Sequence, residues 1–328
     1  MKAPMTRRAP EAGRWLDTMG EVAGRAKAFA KDARSEATRR AYRSDWSDFV
    51  GWTKEKGFAA GPPVPGEIVA LYLADLAGDK KALSTIVRRL AAISEACALA
   101  GAPSPRTAPA LREVLKGIRR RYALEGRRQK GKAALELEAL RKVVSACPTW
   151  LIGLRDRALL VVGWAGGFRR SELAALELED LEERAEGIVV RVRRSKTDQA
   201  GAGQTKVLPF GSDPSTCPVR TLKTWLEAAG VDKGRVFRSV DQHSHVGESL
   251  SDRAIADVVK RRVAEAGLDP RKFAGHSLRS GFCTTAAKCG KNARAIMAQT
   301  GHRTAEMVLR YVREADLFED NAAVGIGL

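Results

Sequence analysis

The sequence predicts a mainly α protein with a small antiparallel β-sheet, built as a helical first domain followed by a larger mixed one. Three observations predict it. Apolar residues recur at helical spacing through most of the chain beyond about residue 34. Alternation of period two stands out in one place, at Ile188, Val190 and Val192, and a Gly-containing turn then leads to a return segment over 205–210. Between the helical regions, residues 124–133 are charged and Gly-containing, the composition of an interdomain linker. A chain of 328 residues is long enough for two cores.

The elements follow in order. Residues 1–33 form an N-terminal extension with a short helix near 17–30. The first domain, 34–123, carries four helical stripes. Tyr42, Trp46, Phe49 and Val50 make the first. Pro65 is suited to open the second, which carries Ile68, Tyr72, Leu73 and Leu76. Leu83, Ile86, Leu90, Ile93 and Cys97 make the third, ended by Gly101 and Pro103, and Leu111, Val114, Leu115 and Ile118 make the fourth. Four helices without strands predict a small bundle. The second domain, 134–328, is expected to have helices at 136–147, 151–165, 170–177, 218–229 and 250–266 around the strand pair. Further helices carry His276, His302 and Tyr311.

Charge narrows the partners. Lys and Arg number 57 against 39 Asp and Glu, a net charge of +18. Such an excess calls for a polyanion, nucleic acid before membrane surface. The basic residues are dense at Arg119, Arg120 and Arg121 and again at Arg127, Arg128, Lys130 and Lys132, which predicts a strap laid along phosphates. No apolar run approaches the ~20 residues that span a bilayer, and no secretory signal is visible. The five cysteines (Cys97, Cys147, Cys217, Cys283, Cys289) are scattered and lack metal-ligand spacing, as expected of a reducing cytoplasm. His243 and His245 read as a polar loop with no third ligand near in sequence. Neither a bound metal nor a cofactor is expected.

The chemistry lies in scattered segments. Cleaving a phosphodiester without metal needs cations to stabilise the phosphorane, a nucleophile, and an acid for the leaving oxygen. Arginine suits the first task because its planar fork stays charged and grips two oxygens. Arg169 or its neighbour Arg170 is one candidate, and Arg279 is another. His276 stands three residues before Arg279 on one helix, and His302 sits in Gly-His-Arg-Thr. Tyr311 is the candidate nucleophile; its phenol, ordinarily titrating near pH ~10, needs adjacent cations to ionise. Lys196 and Lys206, on either side of the hairpin, are candidate acids.

GGFRRSELAAL, RRSKT, HSLRSGF, GHRT and VLRYV, in that order and with those separations, resemble the tyrosine recombinase (phage integrase) family over about 134–315. The RRSKT hairpin and the first-domain layout are similar to its Cre-like members. The resemblance implies a helical core-binding domain (34–123) and a catalytic domain (134–328) that clamp DNA. It implies that Arg169, Arg279 and His302 bind the scissile phosphate and that His276 positions it and assists proton transfer. Lys196, preferred here to Lys206, would protonate the leaving 5′-oxygen, and Tyr311 would form a 3′-phosphotyrosyl link. The implied partners are double-stranded DNA with inverted-repeat sites and further copies of the chain, as a tetramer on two sites. The tail beyond Tyr311, with Leu317, Phe318, Val324 and Ile326, is expected to dock on a neighbouring subunit. A type IB-like topoisomerase and a non-catalytic DNA-binding protein are the alternatives.

Overall fold

The computed structural model of the chain describes residues 22, 24–25, 34–127, 131–193 and 203–315, with backbone only at 310 and 312–315. Residues 22, 24 and 25 are helical. The rest of the segment 17–30, Arg128, Lys130, Lys196 and the tail residues Leu317, Phe318, Val324 and Ile326 lie outside the described residues. The chain divides into two compact units, Met1–Lys130 and Gly131–Leu328.

From residue 34 on, the described part of the first unit holds four α-helices, α1 (Glu36–Glu55), α2 (Gly66–Gly78), α3 (Leu83–Leu99) and α4 (Pro109–Leu124), with a 3-10 turn at Pro105–Thr107. Helix α1 starts where the Ser35 hydroxyl accepts the Thr38 N–H at 3.3 Å. Pro65 stands at the N-cap of α2. Helix α1 packs on α3 and α2 on α4, so the four apolar stripes meet around Phe49, Tyr72, Leu73, Ile86, Ile93 and Leu111. The Tyr72 hydroxyl, buried with its ring, donates to Asp48 at 2.6 Å, which also takes Arg89 Nη2 at 2.8 Å.

The described basic residues around the linker differ in their surroundings. Arg119, Arg120 and Arg121 are exposed on helix α4, whose opposite face buries Ile118 and Tyr122. Arg127 turns back onto its own unit. Its guanidinium lies 4.4 Å from the Tyr122 ring centroid and donates to the Lys80 carbonyl at 3.2 Å. On the other side of the linker Lys132 donates to the Arg271 carbonyl at 2.6 Å, and Ala133 N–H to that of Lys272 at 2.8 Å. Each described end of the linker is thus held to its own unit by cation–π and carbonyl contacts.

The second unit holds α5 (Leu137–Ser145), α6 (Leu151–Ala165), α7 (Arg170–Ala175), β1 (Leu181–Arg184), β2 (Gly187–Val192), β3 (Gln204–Pro209), α8 (Pro218–Ala229), α9 (Asp252–Glu265), α10 (His276–Lys288), α11 (Ala293–Thr300) and α12 (Ala305–Ala315). The strands form an antiparallel sheet in the order β1-β2-β3. Ile188, Val190 and Val192 of β2 and Leu208 of β3 turn one face of that sheet into the core that contains Trp225 of α8 and the buried helix α6. Strand β3, the expected return segment, alternates in burial, and two residues before Leu208 its inward position is Lys206, paired in register with Val190. Strand β1 adds a third strand to the predicted pair. Among the described residues no helix is long and apolar enough to cross a membrane.

Candidate active site

Three chain segments, distant in sequence, build the site. The first is the turn after α6. Gly166 caps the helix, Gly167 takes φ +53°, and Arg169 stands at the N-cap of α7. The third residue of α7, Glu172, is fully buried and reaches back. Its carboxylate accepts the Arg169 backbone N–H at 3.0 Å and Arg169 Nη1 at 2.5 Å. Arg169 Nη2 donates to the Gly301 carbonyl at 3.1 Å. Arg169 is therefore fixed from both sides. Arg170, its rival from the sequence, lies outward and pairs with Asp252 at 3.7 Å.

The second segment is the start of α10. His276, its first residue, is exposed, whereas Arg279 one turn on is 1 % exposed. The two differ in exposure, although their i, i+3 spacing puts them on neighbouring positions of one helix. Arg279 Nη1 donates to the carbonyls of Gly167 at 2.6 Å and Thr300 at 2.5 Å. Its Nη2 is buried and makes no hydrogen bond among the described residues. A buried N–H of a guanidinium without an acceptor costs roughly 1–3 kcal/mol or more, and a phosphate oxygen would remove that cost. Burial, and then the charge of Arg169, push the Arg279 pKa down to about 10, so it stays a cation at neutral pH.

The third segment is the end of α11 with the turn beyond it. Gly301 ends α11 at φ +70°, a left-handed cap that also lets the Gln204 side chain lie where a Cβ would stand. His302 comes next, 8 % exposed. The Thr300 hydroxyl donates to Ile296 O at 2.6 Å, which leaves its lone pair for His302 Nδ1–H at 2.8 Å. This network assigns the proton of the neutral ring to Nδ1 and a lone pair to Nε2. Burial, followed by the charges of Arg279 and Arg169, lowers the His302 pKa to about 3. His276 and Lys206 also act on it electrostatically.

Tyr311 lies on α12, 6 % exposed, in a small cluster with Cys283, Ala287, Ile296 and Val308. Its ring centroid is 6.2 Å from that of His302. The phenol is thus both a packed core ring and a neighbour of the cationic cluster.

Glu172 and Lys206 complete the cluster. Glu172, one turn into α7, is the buried carboxylate beside Arg169. Lys206 is fully buried, and its ammonium donates to the carbonyls of Gly166 at 3.0 Å and Gln299 at 2.7 Å. It lies 3.8 Å from Glu172 and 5.0 Å from the Phe168 ring centroid. Burial lowers its pKa to about 7, against the pull of Glu172. The preferred acid, Lys196, lies outside the described residues. Strand β2 leads towards it past Arg193, which pairs with Glu177 at 2.7 Å and Asp180 at 2.5 Å. Among the described residues no group of three His, Cys, Asp or Glu is placed to hold a metal ion. His245 bonds Asp241 at 2.9 Å in an exposed loop.

The fold and this constellation define a class, a helical protein whose second unit gathers arginines and histidines beside a tyrosine. The profile of the Phage integrase family matches residues 134–317. An integrase/recombinase xerD homolog of Selenomonas ruminantium is 39% identical over 303 residues, covering 91% of this chain and 87% of that protein. Recombinase cre of Escherichia phage P1 is 25% identical over 310 residues, covering 87% and 86%. A lambda integrase dimer bound to a COC' core site has a similar fold, with TM-score 0.60 at 17% identity over 96% of this chain and 80% of that one. The chain belongs to the phage integrase family, the tyrosine recombinases, and its general chemistry is DNA cleavage and rejoining.

Proposed function

We propose that the chain is a site-specific recombinase that breaks DNA through a 3′-phosphotyrosyl link at Tyr311 and exchanges strands between two sites. What supports this reading is the convergence of Arg169, Arg279 and His302 from three separate segments beside the Tyr311 ring. Arg169 and Arg279 would take the non-bridging oxygens of the scissile phosphate, Nη2 of Arg279, which has no acceptor among the described residues, supplying a donor. His302 has a bare Nε2 when neutral. A bound phosphate would raise its pKa, and the protonated ring would then donate from Nε2 as well. His276, on the exposed first turn of α10, would position the phosphate and assist proton transfer.

The Tyr311 oxygen would attack phosphorus, and the bond to the 5′-oxygen would break with a proton delivered by Lys196. A 5′-hydroxyl from a partner duplex would then displace the tyrosine. The phosphodiester energy stays in the covalent link, so the cycle needs neither ATP nor a metal ion. Because Tyr311 is 6 % exposed, attack includes an outward shift of α12. The substrate would be duplex DNA with inverted repeats, clamped by a core-binding domain (34–123) and a catalytic domain (134–328). The enzyme would act as a tetramer on two sites, on the nucleoid in the cytoplasm.

The test starts from a library of nicked duplexes with randomised sequence. Wild-type protein should form SDS-resistant adducts, and sequencing the trapped duplexes would give the preferred site. Tyr311→Phe should bind the recovered duplex and form no adduct. Binding by the wild type with no adduct from any duplex would leave only a DNA-binding protein. Rapid relaxation of plasmids lacking the recovered site would favour a topoisomerase.

A further inference from the structure

We propose that Lys206 is a positioning residue for the two phosphate-binding arginines, its ammonium clamping together the two turns on which the Arg279 guanidinium is seated. This rests on the recombinase reading above. The geometry is one of successive carbonyls. Lys206 Nζ takes Gly166 O and Gln299 O at 3.0 and 2.7 Å, and Arg279 Nη1 takes Gly167 O and Thr300 O, the next residue along each turn. Arg169 completes the row at Gly301 O. Three cations therefore span the same two turns. One of them, Lys206, has its full side chain sealed from solvent.

The lysine is not there for packing. Its register position faces the core beside Leu208, where an apolar side chain fits without the cost of burying an ammonium, several kcal/mol in roughly comparable sites. Nor is it placed to give a proton to a leaving group. Two of its three N–H bonds point at carbonyls, Glu172 lies on a further side at 3.8 Å, and the Phe168 ring stands against it. Gln299 reinforces the same junction. Its amide donates to Ala165 O at 2.9 Å and Val207 O at 2.7 Å, lacing the ends of α6 and α11 to β3. Lys206 also shares Glu172 with Arg169, so one ammonium bears on the seat of one arginine and on the counter-ion of the other.

The experiment compares Lys206→Met with wild type on the duplex recovered by adduct trapping, in single turnover. A misplacement of the arginines by about 1 Å is expected to slow adduct formation roughly 100-fold. Affinity should hold within about threefold, because the two arginines would contact a single phosphate whereas duplex affinity is a sum over many. The amplitude should remain that of wild type, since the folded fraction is intact and only the rate constant falls. The same duplex is then made with sulfur in place of the scissile 5′-bridging oxygen. A thiolate leaves without a proton, so this substrate should restore Lys196→Ala and leave Lys206→Met slow. Restoration of Lys206→Met by sulfur would make Lys206 the acid and overturn the proposal. So would an unchanged rate, or equal losses of rate and affinity. If Lys206→Met melts below the assay temperature, Lys206→Gln carries the test. Its single amide donor predicts an intermediate rate, again unrestored by sulfur, and a sulfur-restored rate would overturn the proposal equally. Failure of the recombinase reading is separate, because it appears as absence of adduct with wild type.

Discussion

Replacing Glu172 by Gln should cost the second unit about 3 kcal/mol, the lower part of the roughly 3–5 kcal/mol range for removing one partner of a buried ion pair. The carboxylate is fully buried, 2.5 Å from Arg169 Nη1 and 3.8 Å from Lys206. Gln keeps the shape and an acceptor for the Arg169 backbone N–H but leaves Arg169, Arg279 and Lys206 without their shared anion. Lys206 limits the damage because it can release its proton. Its folded pKa, about 7, is already below the unfolded value of 10.5, and the charge of Glu172 is the first influence holding it up.

The sign follows from proton counting. Between about 7 and 10.5 the unfolded chain binds the Lys206 proton and the folded chain does not, so wild-type stability rises with pH across that window. Without Glu172 the folded pKa falls further, and the rise begins at lower pH. The stability gap between wild type and variant must therefore be wider at pH ~6 than at pH ~9, narrowing by up to about 1.4 kcal/mol between pH ~6 and the wild-type pKa of about 7 and staying level above it. For a unit of this size the melting temperature should fall by roughly 6–12 °C at the lower pH. Calorimetry of the full chain at both pH values measures this. Equal melting temperatures, or a gap that widens as pH rises, would refute the account of Glu172 as the shared counter-ion.

His302 predicts acid lability. Its folded pKa of about 3 lies below the ordinary 6.5, so the folded chain loses stability as pH falls from 6.5 towards 3, by at most about 5 kcal/mol. Urea titrations of His302→Asn should show a flatter pH dependence than wild type over that range, and parallel curves would remove His302 as the cause. On the first unit, replacing the exposed Arg119, Arg120 and Arg121 by Gln should reduce the slope of log affinity against log salt by about 0.9 for each phosphate no longer neutralised. Fluorescence titration of a duplex over a salt series reads this slope, and an unchanged value would assign phosphate binding to other residues.

Periodicity alone determined much of this protein. The apolar stripes through Phe49, Tyr72, Ile93 and Ile118 became the four helices of the first unit, and the alternation at Ile188, Val190 and Val192 became β2. Both arise from local rules, since 3.6-residue and two-residue repeats decide which face an isolated segment can bury. Strand β1, whose sequence is LEER, escaped because it has no apolar alternation; its place comes from backbone pairing with β2. The chemistry-bearing side chains were legible as residue types in order along the chain, and Arg169 was separable from Arg170 by the motif it resembles.

Tertiary structure alone decided what each of them meets. The alternation of β3 already set Lys206 on the inward face with Leu208, a signal that was available, yet a lysine in a core register has no meaning until its partners are known. Those partners are the carbonyls of Gly166 and Gln299, 40 and 93 residues away along the chain. Arg279 likewise finds Gly167 and Thr300, 112 and 21 residues away. Backbone carbonyls carry no residue-specific pattern, so no reading of side chains locates them. Only closure of the chain around α6, α10 and α11 brings the two turns together, and that closure gathers separate basic residues into one cluster.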